Sequence, residues 1–169
     1  MNPDRSAQQR MGLEALIAAD ARAVAAESDQ LGRVFAAAHQ VHPSDFRALV
    51  HILVAESEGT PLTSGDLRHK MGLSGAAITY LVERMINSGH LRRESDPSDR
   101  RKVILRYSAE HRDIAEAFFT PLAAHTYAAM ADLPDDDLIA GHRVLTALIM
   151  AMRRFLDDLQ VAGADVGAT

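Results

Sequence analysis

Apolar side chains recur every three or four residues along most of this chain, which is the spacing of a helix with one buried face. Residues 11–39 show this pattern and predict one long helix. Pro43 ends it, because the residue before a proline is pushed out of helical geometry, and Ser44 is expected to cap the helix that follows. Residues 109–133 show the pattern again, with Pro121 predicted to kink or interrupt that helix.

Two short helical patterns lie close together in the middle of the chain. Thr63 and Asp66 match a capping box, in which a side chain at the helix start and one three residues later satisfy backbone N–H groups reciprocally. Gly72 supplies a sharp turn, Ser74 can cap the second helix, and Gly89 is placed to end it in the left-handed conformation. The pattern predicts a helix, a three-residue turn and a second helix.

After Gly89 the period of the apolar positions changes toward two. Residues 91–95 and 102–107 predict two strands, and the polar residues 96–101 join them. The predicted fold class is therefore mainly α with a small two- or three-stranded β wing. A winged helix-turn-helix lobe follows one long helix and precedes two others.

The last helical segment spaces its apolar positions by four and three in alternation, as a heptad seam does. The seam consists of Leu138, His142, Leu145, Ile149, Met152, Leu156 and Leu159. A seam this regular is typical of a helix packed lengthwise on another, either within the chain or from a second copy. Together with the first helix it provides a candidate dimer surface. Its predicted residues are Leu13, Leu16, Ile17, Leu145, Ile149, Met152 and Leu156.

These elements predict a single domain between two tails. Residues 1–10 are polar without a period, and residues 160–169 are rich in Gly, Ala and Asp, so both segments are expected to be disordered. Dimerisation helices are expected on both sides of the winged helix-turn-helix lobe. The predicted ranges are 11–159 for the domain, 44–108 for the lobe, and 11–42 and 109–159 for the helices.

Composition excludes several classes of function. The chain of 169 residues has no cysteine, so disulfides, thiolate nucleophiles and thiol-based oxidant sensing are excluded. Phosphate-binding loops, Gly-x-Ser-x-Gly and His-Glu-x-x-His are absent, and the sequence therefore predicts no enzyme and no cofactor. The eight histidines form no His-x-x-x-His pair, so we expect no metal site. No apolar run is long enough to span a bilayer, and a cytoplasmic protein without a membrane partner is expected.

Positive charge is concentrated in the middle of the chain. Residues 61–107 carry nine Lys/Arg against five Asp/Glu, whereas the net charge of the whole chain is −5. Because duplex DNA repels a uniformly acidic surface, an acidic chain that binds DNA must gather its cations on one face. The basic segment coincides with the predicted winged helix-turn-helix and indicates double-stranded DNA as its partner.

The same stretch resembles the MarR family of bacterial winged-helix transcriptional regulators. The resemblance is carried by Leu62-Thr63, Gly72-Leu73-Ser74, Leu81-Val82-Glu83-Arg84-Met85, Ser88-Gly89-His90-Leu91, Asp96-Pro97-Ser98-Asp99-Arg100-Arg101 and Leu105-Arg106-Tyr107-Ser108. It implies a homodimer that binds a pseudo-palindromic operator, and a small aromatic or phenolic ligand held between the lobe and the dimer helices. A ligand-responsive repressor is the expected function.

Residue roles follow partly from the pattern and partly from the resemblance. On the second short helix the face opposite the apolar one is the predicted DNA side, and it carries Ser74, Ala76, Ala77, Thr79, Tyr80 and Arg84. In the wing, Asp99 and Arg101 match the family's Asp-x-Arg, which implies that Arg101 enters the minor groove and Asp99 orients it. Arg100 and Lys102 are then expected at phosphates. The effector pocket is placed by position alone at His42, Phe46, His51 and Phe118.

One alternative stays open. Gly75-Ala76-Ala77 occupy the first turn of the predicted recognition helix, where larger polar residues would read bases. A dimeric winged-helix module that docks other proteins, without sequence-specific DNA binding, is therefore the second hypothesis.

Overall fold

The computed structural model describes residues 3–166 and confirms the predicted fold class. Within that range six helices and one two-stranded antiparallel sheet follow each other along the chain. They are α1 (Pro3–Ala38), α2 (Pro43–Ser57), α3 (Ser64–Met71), α4 (Gly75–Asn87), β1 (Leu91–Ser95), β2 (Val103–Tyr107), α5 (Ala109–Met130) and α6 (Asp135–Val166). None of the helices within residues 3–166 combines the length and apolarity needed to cross a bilayer.

The chain divides into two compact units, and the boundary lies inside α5 between Phe119 and Thr120, next to Pro121. The first unit holds α1 to β2 and the start of α5, and the second holds the rest of α5 and α6. The predicted lobe of residues 44–108 is thus too short as a packing unit. Its core also takes in α1 and α5, because the Phe35 ring packs on Phe46 and Phe119 at centroid distances of 5.4 and 5.5 Å.

The core of the first unit collects apolar residues from every one of its elements up to β2. Its largest fully buried side chains are Ile52, Leu67, Val82, Met85, Ile104 and Leu105. The two strands pair with Leu91 opposite Tyr107 and Ser95 opposite Val103. The segment before α3 adds a single-residue bridge to this sheet, where the Leu62 carbonyl accepts a hydrogen bond from the backbone N–H of Leu105 at 2.8 Å. Burial of these side chains fixes α3 and α4 beneath the wing.

Helix ends differ from the prediction in two places. α1 begins at Pro3 and α6 continues to Val166, so the segments expected to be disordered are helical within residues 3–10 and 160–166; residues 1–2 and 167–169 lie outside the described part. Proline in the first turn and alanine-rich sequence both favour helix, and this outweighs the lack of an apolar period. Ser44 is not the cap of α2. The imidazole Nδ1 of His42 accepts the Ser44 backbone N–H at 3.2 Å instead.

The predicted dimer residues are mostly exposed in the single chain. Ile17 is half-buried, and the other six, Leu13, Leu16, Leu145, Ile149, Met152 and Leu156, are exposed. Along α6 the partly buried positions are Ala140, Val144 and Leu148, which lie on a different line from the heptad seam. The seam is therefore not used for packing within the described chain.

Candidate nucleic-acid interface

Local hydrogen bonds set the geometry of the helix-turn-helix, as the sequence predicted. The Thr63 hydroxyl accepts the Asp66 backbone N–H at 3.2 Å, and the Asp66 carboxylate accepts the Thr63 backbone N–H at 2.9 Å. The Thr63 hydroxyl also donates to that carboxylate and lowers the pKa of Asp66. Gly72 ends α3 with φ of +63°, and the Ser74 hydroxyl caps α4 by accepting the Ala77 N–H at 3.3 Å. Each helix end is thus fixed by its own sequence.

The two faces of α4 are sharply different. Ile78, Leu81, Val82 and Met85 are buried in the core, and each is at most 4% exposed. Five of the six predicted DNA-side residues are exposed on the opposite face, namely Ser74, Ala76, Ala77, Thr79 and Tyr80. The Tyr80 side chain is among them, with 68% of the residue's surface accessible. The Thr79 hydroxyl donates to the carbonyl of Gly75 at 2.9 Å, which fixes its rotamer.

Arg84 is the exception to the predicted face. Its guanidinium is paired with the carboxylate of Asp45 at the start of α2, with an Nε to Oδ2 distance of 3.0 Å and a second bond from Nη2 to Oδ1. Nη2 also donates to the Ser44 hydroxyl at 3.3 Å. Hydrogen bonding to Asp45 raises the pKa of Arg84. Arg84 is therefore held by a buried carboxylate, although 34% of its side chain remains exposed.

The wing turn is built by side chains that bond to their own backbone. The Asp96 carboxylate accepts the backbone N–H of Ser98 at 2.7 Å and the hydroxyl of Ser98 at 2.6 Å, and these bonds lower the pKa of Asp96. The backbone N–H of Lys102 donates to the Asp99 carbonyl at 2.8 Å. These contacts close the loop between β1 and β2 without apolar packing.

Asp99 and Arg101 lie at the tip of this turn. One carboxylate oxygen of Asp99 accepts both the backbone N–H of Arg101 at 3.1 Å and its Nε at 3.2 Å. The Arg101 side chain is 92% exposed, whereas that of Asp99 is 29% exposed. The aspartate therefore holds an arginine that extends away from the protein, and the neighbouring side chains of Arg100 and Lys102 are exposed as well.

Ion pairing separates the cations of the basic segment into two groups. Five of its nine Lys/Arg lie within 4.0 Å of a carboxylate, namely Arg84, Arg92, Arg93, Arg101 and Arg106. Among the side chains that the structure describes, the other four have no such partner, namely Arg68, Lys70, Arg100 and Lys102. The unpaired positive charge thus comes from α3 and the wing, and sequence reasoning did not select Arg68 or Lys70.

Glu56 is a second residue that sequence reasoning missed. Its carboxylate accepts the Tyr107 backbone N–H at 3.1 Å and Arg112 Nη2 at 2.8 Å, and Arg106 Nη1 lies 3.8 Å away. The side chain is only 9% exposed. Glu56 therefore ties the end of the wing to α2 and α5. Its partners lie about fifty residues further along the chain, so no local sequence pattern reveals it.

The predicted effector-pocket residues are not among those that line the cavity described below. His42 caps α2, and Phe46 and Phe118 pack on the Phe35 ring at centroid distances of 5.4 and 5.1 Å. His51 is half-buried, and burial, followed by the charges of Lys70 and Arg47, lowers its pKa. A cavity of about 170 Å³ lies elsewhere in the first unit, and its lining residues are Leu53, Tyr107, Arg112, Ala115, Glu116 and Phe119.

Known proteins share both the sequence and the fold of this region. Residues 39–102 match the model of the MarR family. The HTH-type transcriptional regulator YcgE of Bacillus subtilis is 33% identical over 82 residues, 48% of this chain and 53% of YcgE, so the chain spans about half of that relative.

Two solved structures extend the likeness beyond the lobe. A MarR family protein from Bacillus stearothermophilus is 26% identical, with a TM-score of 0.56 over 90% of this chain and 99% of that one. A MepR variant from S. aureus has the same fold at 14% identity, with a TM-score of 0.62 over 78% of this chain and 93% of its own. Together with the winged helix-turn-helix described above, these matches show that residues 39–102 are similar to the MarR family and that the chain has the fold of a MarR family protein.

Proposed function

We propose that this chain is a transcriptional regulator that binds duplex DNA through α4 and the wing. The observation that carries the proposal is the Asp99–Arg101 pair, in which a bonded carboxylate holds an arginine that is 92% exposed at the tip of a wing. The guanidinium presents five hydrogen-bond donors, and holding it in one rotamer costs side-chain entropy, so the arrangement favours a docking partner rich in acceptors. The name of the relative YcgE, an HTH-type transcriptional regulator, supports the same function.

Recognition helix α4 is suited to the major groove. Its 13 residues span about 20 Å, and the exposed residues near its N-terminus lie where base edges would be contacted. Small side chains at Ala76 and Ala77 allow the backbone to come close, Thr79 offers a methyl group, and the Tyr80 hydroxyl can donate to a phosphate. Sequence discrimination is then shared between these contacts and the shape of the DNA.

The wing supplies the second half of the contact. Arg101 enters the minor groove, where narrow A·T-rich segments concentrate negative potential, and Arg100 and Lys102 contact the flanking phosphates. A homodimer formed through α1 and α6 would place two such lobes about one helical turn, ~34 Å, apart. The operator is accordingly an inverted repeat, and repression relieved by a ligand is the mode of action we propose.

The cavity next to Glu56 is the proposed effector site. Leu53, Ala115 and Phe119 give it apolar walls, and a cavity of about 150 Å³ is large enough for benzene. Arg112 and Glu116 at its edge can bond a phenolic hydroxyl. Since Arg112 is already paired with Glu56 at 2.8 Å, a neutral phenol fits the site better than an aromatic acid.

DNA binding is tested by fluorescence anisotropy on duplexes of about 30 base pairs that the protein selects from a randomised pool. Wild type is expected to bind with a steep salt dependence. Arg101→Ala should weaken binding at least tenfold and reduce the salt slope by about one or less, because Arg101 reads groove shape more than charge. Asp99→Asn should lose part of this affinity, and Arg33→Ala on α1 is the control that should bind as wild type.

The protein-docking alternative is favoured by the small, exposed Gly75-Ala76-Ala77 turn. This alternative predicts that the wild-type protein binds no duplex, even at low salt. A different result, equal DNA affinity of Arg101→Ala and wild type, would refute only the role assigned to the wing.

Effector binding is tested by thermal unfolding with phenol and with benzoate. Phenol is expected to raise the unfolding temperature, and Ala115→Phe should abolish the shift by filling the cavity. Ala117→Phe, at an exposed position of the same helix, is the matched control. A larger shift with benzoate than with phenol would contradict the proposed ligand class.

A further inference from the structure

The Asp45–Arg84 pair joins the recognition helix to a distant part of the chain. Asp45 lies in the first turn of α2 and is buried, at 7% exposed. Arg84 lies 39 residues later in the third turn of α4 and bonds both carboxylate oxygens. Two parallel bonds fix direction as well as distance. The pair therefore sets the rotation of α4 about its own axis relative to α2.

The same guanidinium also orients an exposed residue of the proposed DNA face. Its central carbon lies 5.2 Å from the ring centroid of Tyr80, one helical turn before Arg84. A cation at this distance is attracted to the face of an aromatic ring, which restricts the ring's rotamer. Arg84 thus connects a buried carboxylate on one side with an exposed tyrosine on the other.

We propose that Asp45 and Arg84 are positioning residues for DNA recognition, which hold α4 and Tyr80 in register without touching DNA. The inference rests on the proposed function. In the DNA complex, Arg84 stays charged and remains bonded to Asp45. The sequence-specific contacts with DNA are made by the residues that Arg84 holds in place. Loss of either partner misplaces the same helix, so both losses should have the same effect.

This role differs from a phosphate contact in three measurable ways. A positioning pair should affect the selected duplex but leave binding to a random-sequence duplex unchanged, because non-specific binding depends on charge alone. Its loss should leave the salt slope unchanged. Asp45 should matter as much as Arg84, whereas a phosphate-binding Arg84 would be released, and bind at least as well, when the Asp45 charge is removed.

The test measures anisotropy of Asp45→Asn, Arg84→Gln and the double variant on both duplexes over a range of salt. Each single variant is expected to bind the selected duplex about tenfold more weakly at an unchanged slope. The double variant should be no weaker than the weaker single variant, since the two changes remove one interaction. Arg33→Gln, which removes the exposed ion pair with Asp29 on α1, is the control expected to bind as wild type.

Two further variants keep the inference testable if a single change impairs folding. Asp45→Leu combined with Arg84→Met replaces the pair by apolar side chains, which proteins often tolerate. It should fold, by circular dichroism, and bind the selected duplex as weakly as Arg84→Gln; wild-type affinity would overturn the proposal. Arg84→Lys keeps the charge but loses the second bond, and it should also bind weakly.

Full affinity of Asp45→Asn, or a salt slope reduced by about one in Arg84→Gln, would assign Arg84 to a phosphate and overturn this inference alone. A wild-type protein that binds no duplex would overturn the proposed function, and this inference with it.

Discussion

His90 is a half-buried histidine whose pKa is lowered in the folded lobe. It lies three residues after the end of α4, and its ring packs on that of His111 with centroids 4.2 Å apart. The Ser88 hydroxyl lies 2.7 Å from the Nδ1 atom of His90. The backbone carbonyl of His90 accepts the Ser108 N–H at 2.9 Å. Burial, and next the neighbouring His111, lower the pKa of His90, while the charge of Asp45 acts in the opposite direction. Protonation is therefore resisted in the folded state.

The direction of this shift predicts a loss of stability in acid. Because the folded pKa lies below the unfolded value of about 6.5, the unfolded chain takes up the proton more readily, and the free energy of unfolding falls as pH drops below about 6.5. The decline ends once pH is below the folded pKa. Urea unfolding at a series of pH values measures this slope.

His90→Asn should show a smaller slope, since the asparagine oxygen can still accept from Ser88 but does not titrate. Some dependence should remain, because the pKa of His51 is lowered in the same direction. His125→Asn changes an exposed histidine and serves as the control. Equal slopes for His90→Asn and wild type would contradict the assignment.

At the level of elements, the contact between α1 and α2 depends on a glycine. A Cβ at Gly32 would lie 2.4 Å from the Phe46 ring, whereas one at Gly12 in the same helix would meet nothing within 4 Å. Gly32→Ala should destabilise the protein by about 1 kcal/mol, because the overpacking cost of about 1–3 kcal/mol exceeds the gain in helix propensity. Gly12→Ala should instead stabilise it by about 0.5–1 kcal/mol. Urea unfolding of both variants checks the difference, and effects of the same sign would refute it.

Elements defined by local chemistry were predictable from sequence, and those defined by distant contacts were not. Thr63, Gly72 and Ser74 act through neighbours within four residues, so the helix-turn-helix follows from its own pattern. Pro43 also marked the start of α2, but the cap came from His42, because an imidazole nitrogen can accept as a serine oxygen does.

The same distinction separates the predicted from the missed site residues. The exposed face of α4 follows from helical period, and the Asp99–Arg101 bond follows from a two-residue spacing. Arg84 lies on the predicted face by period, yet its partner Asp45 is 39 residues away, and only the tertiary fold brings the two together. The cavity and Glu56 depend on contacts between α2, β2 and α5 in the same way.

On the scale of the whole molecule, positive charge and exposed apolar surface are concentrated in different segments of the chain. The chain carries 23 acidic and 18 basic residues, yet nine of the basic ones lie in residues 61–107. The exposed apolar side chains outside this segment include a regular line on α6, with Leu145, Ile149, Met152 and Leu156 each about half exposed or more. A polar ligand such as DNA does not cover such a line, whereas a second copy of the chain can.

The seam on α6 predicts which substitutions dissociate a dimer. Ile149 lies on the seam and Met150 beside it, and the two are 49% and 48% exposed in the single chain. Ile149→Glu would bury a carboxylate against apolar residues of a second copy, so it should shift the molecular mass from twice the 18.4 kDa of the chain to that of the monomer. Met150→Glu introduces the same negative charge at a position of similar exposure that lies outside the seam, and this variant should remain dimeric.

Sedimentation equilibrium gives these masses directly, and the unfolding temperature of wild type should rise with protein concentration, because association stabilises the folded chain. Operator binding should fall together with the dimer, since one lobe loses the second half-site. A wild-type mass of a single chain would refute the dimer. Dissociation of both variants would show instead that α6 tolerates no added charge on either face, and that the heptad seam does not select the partner.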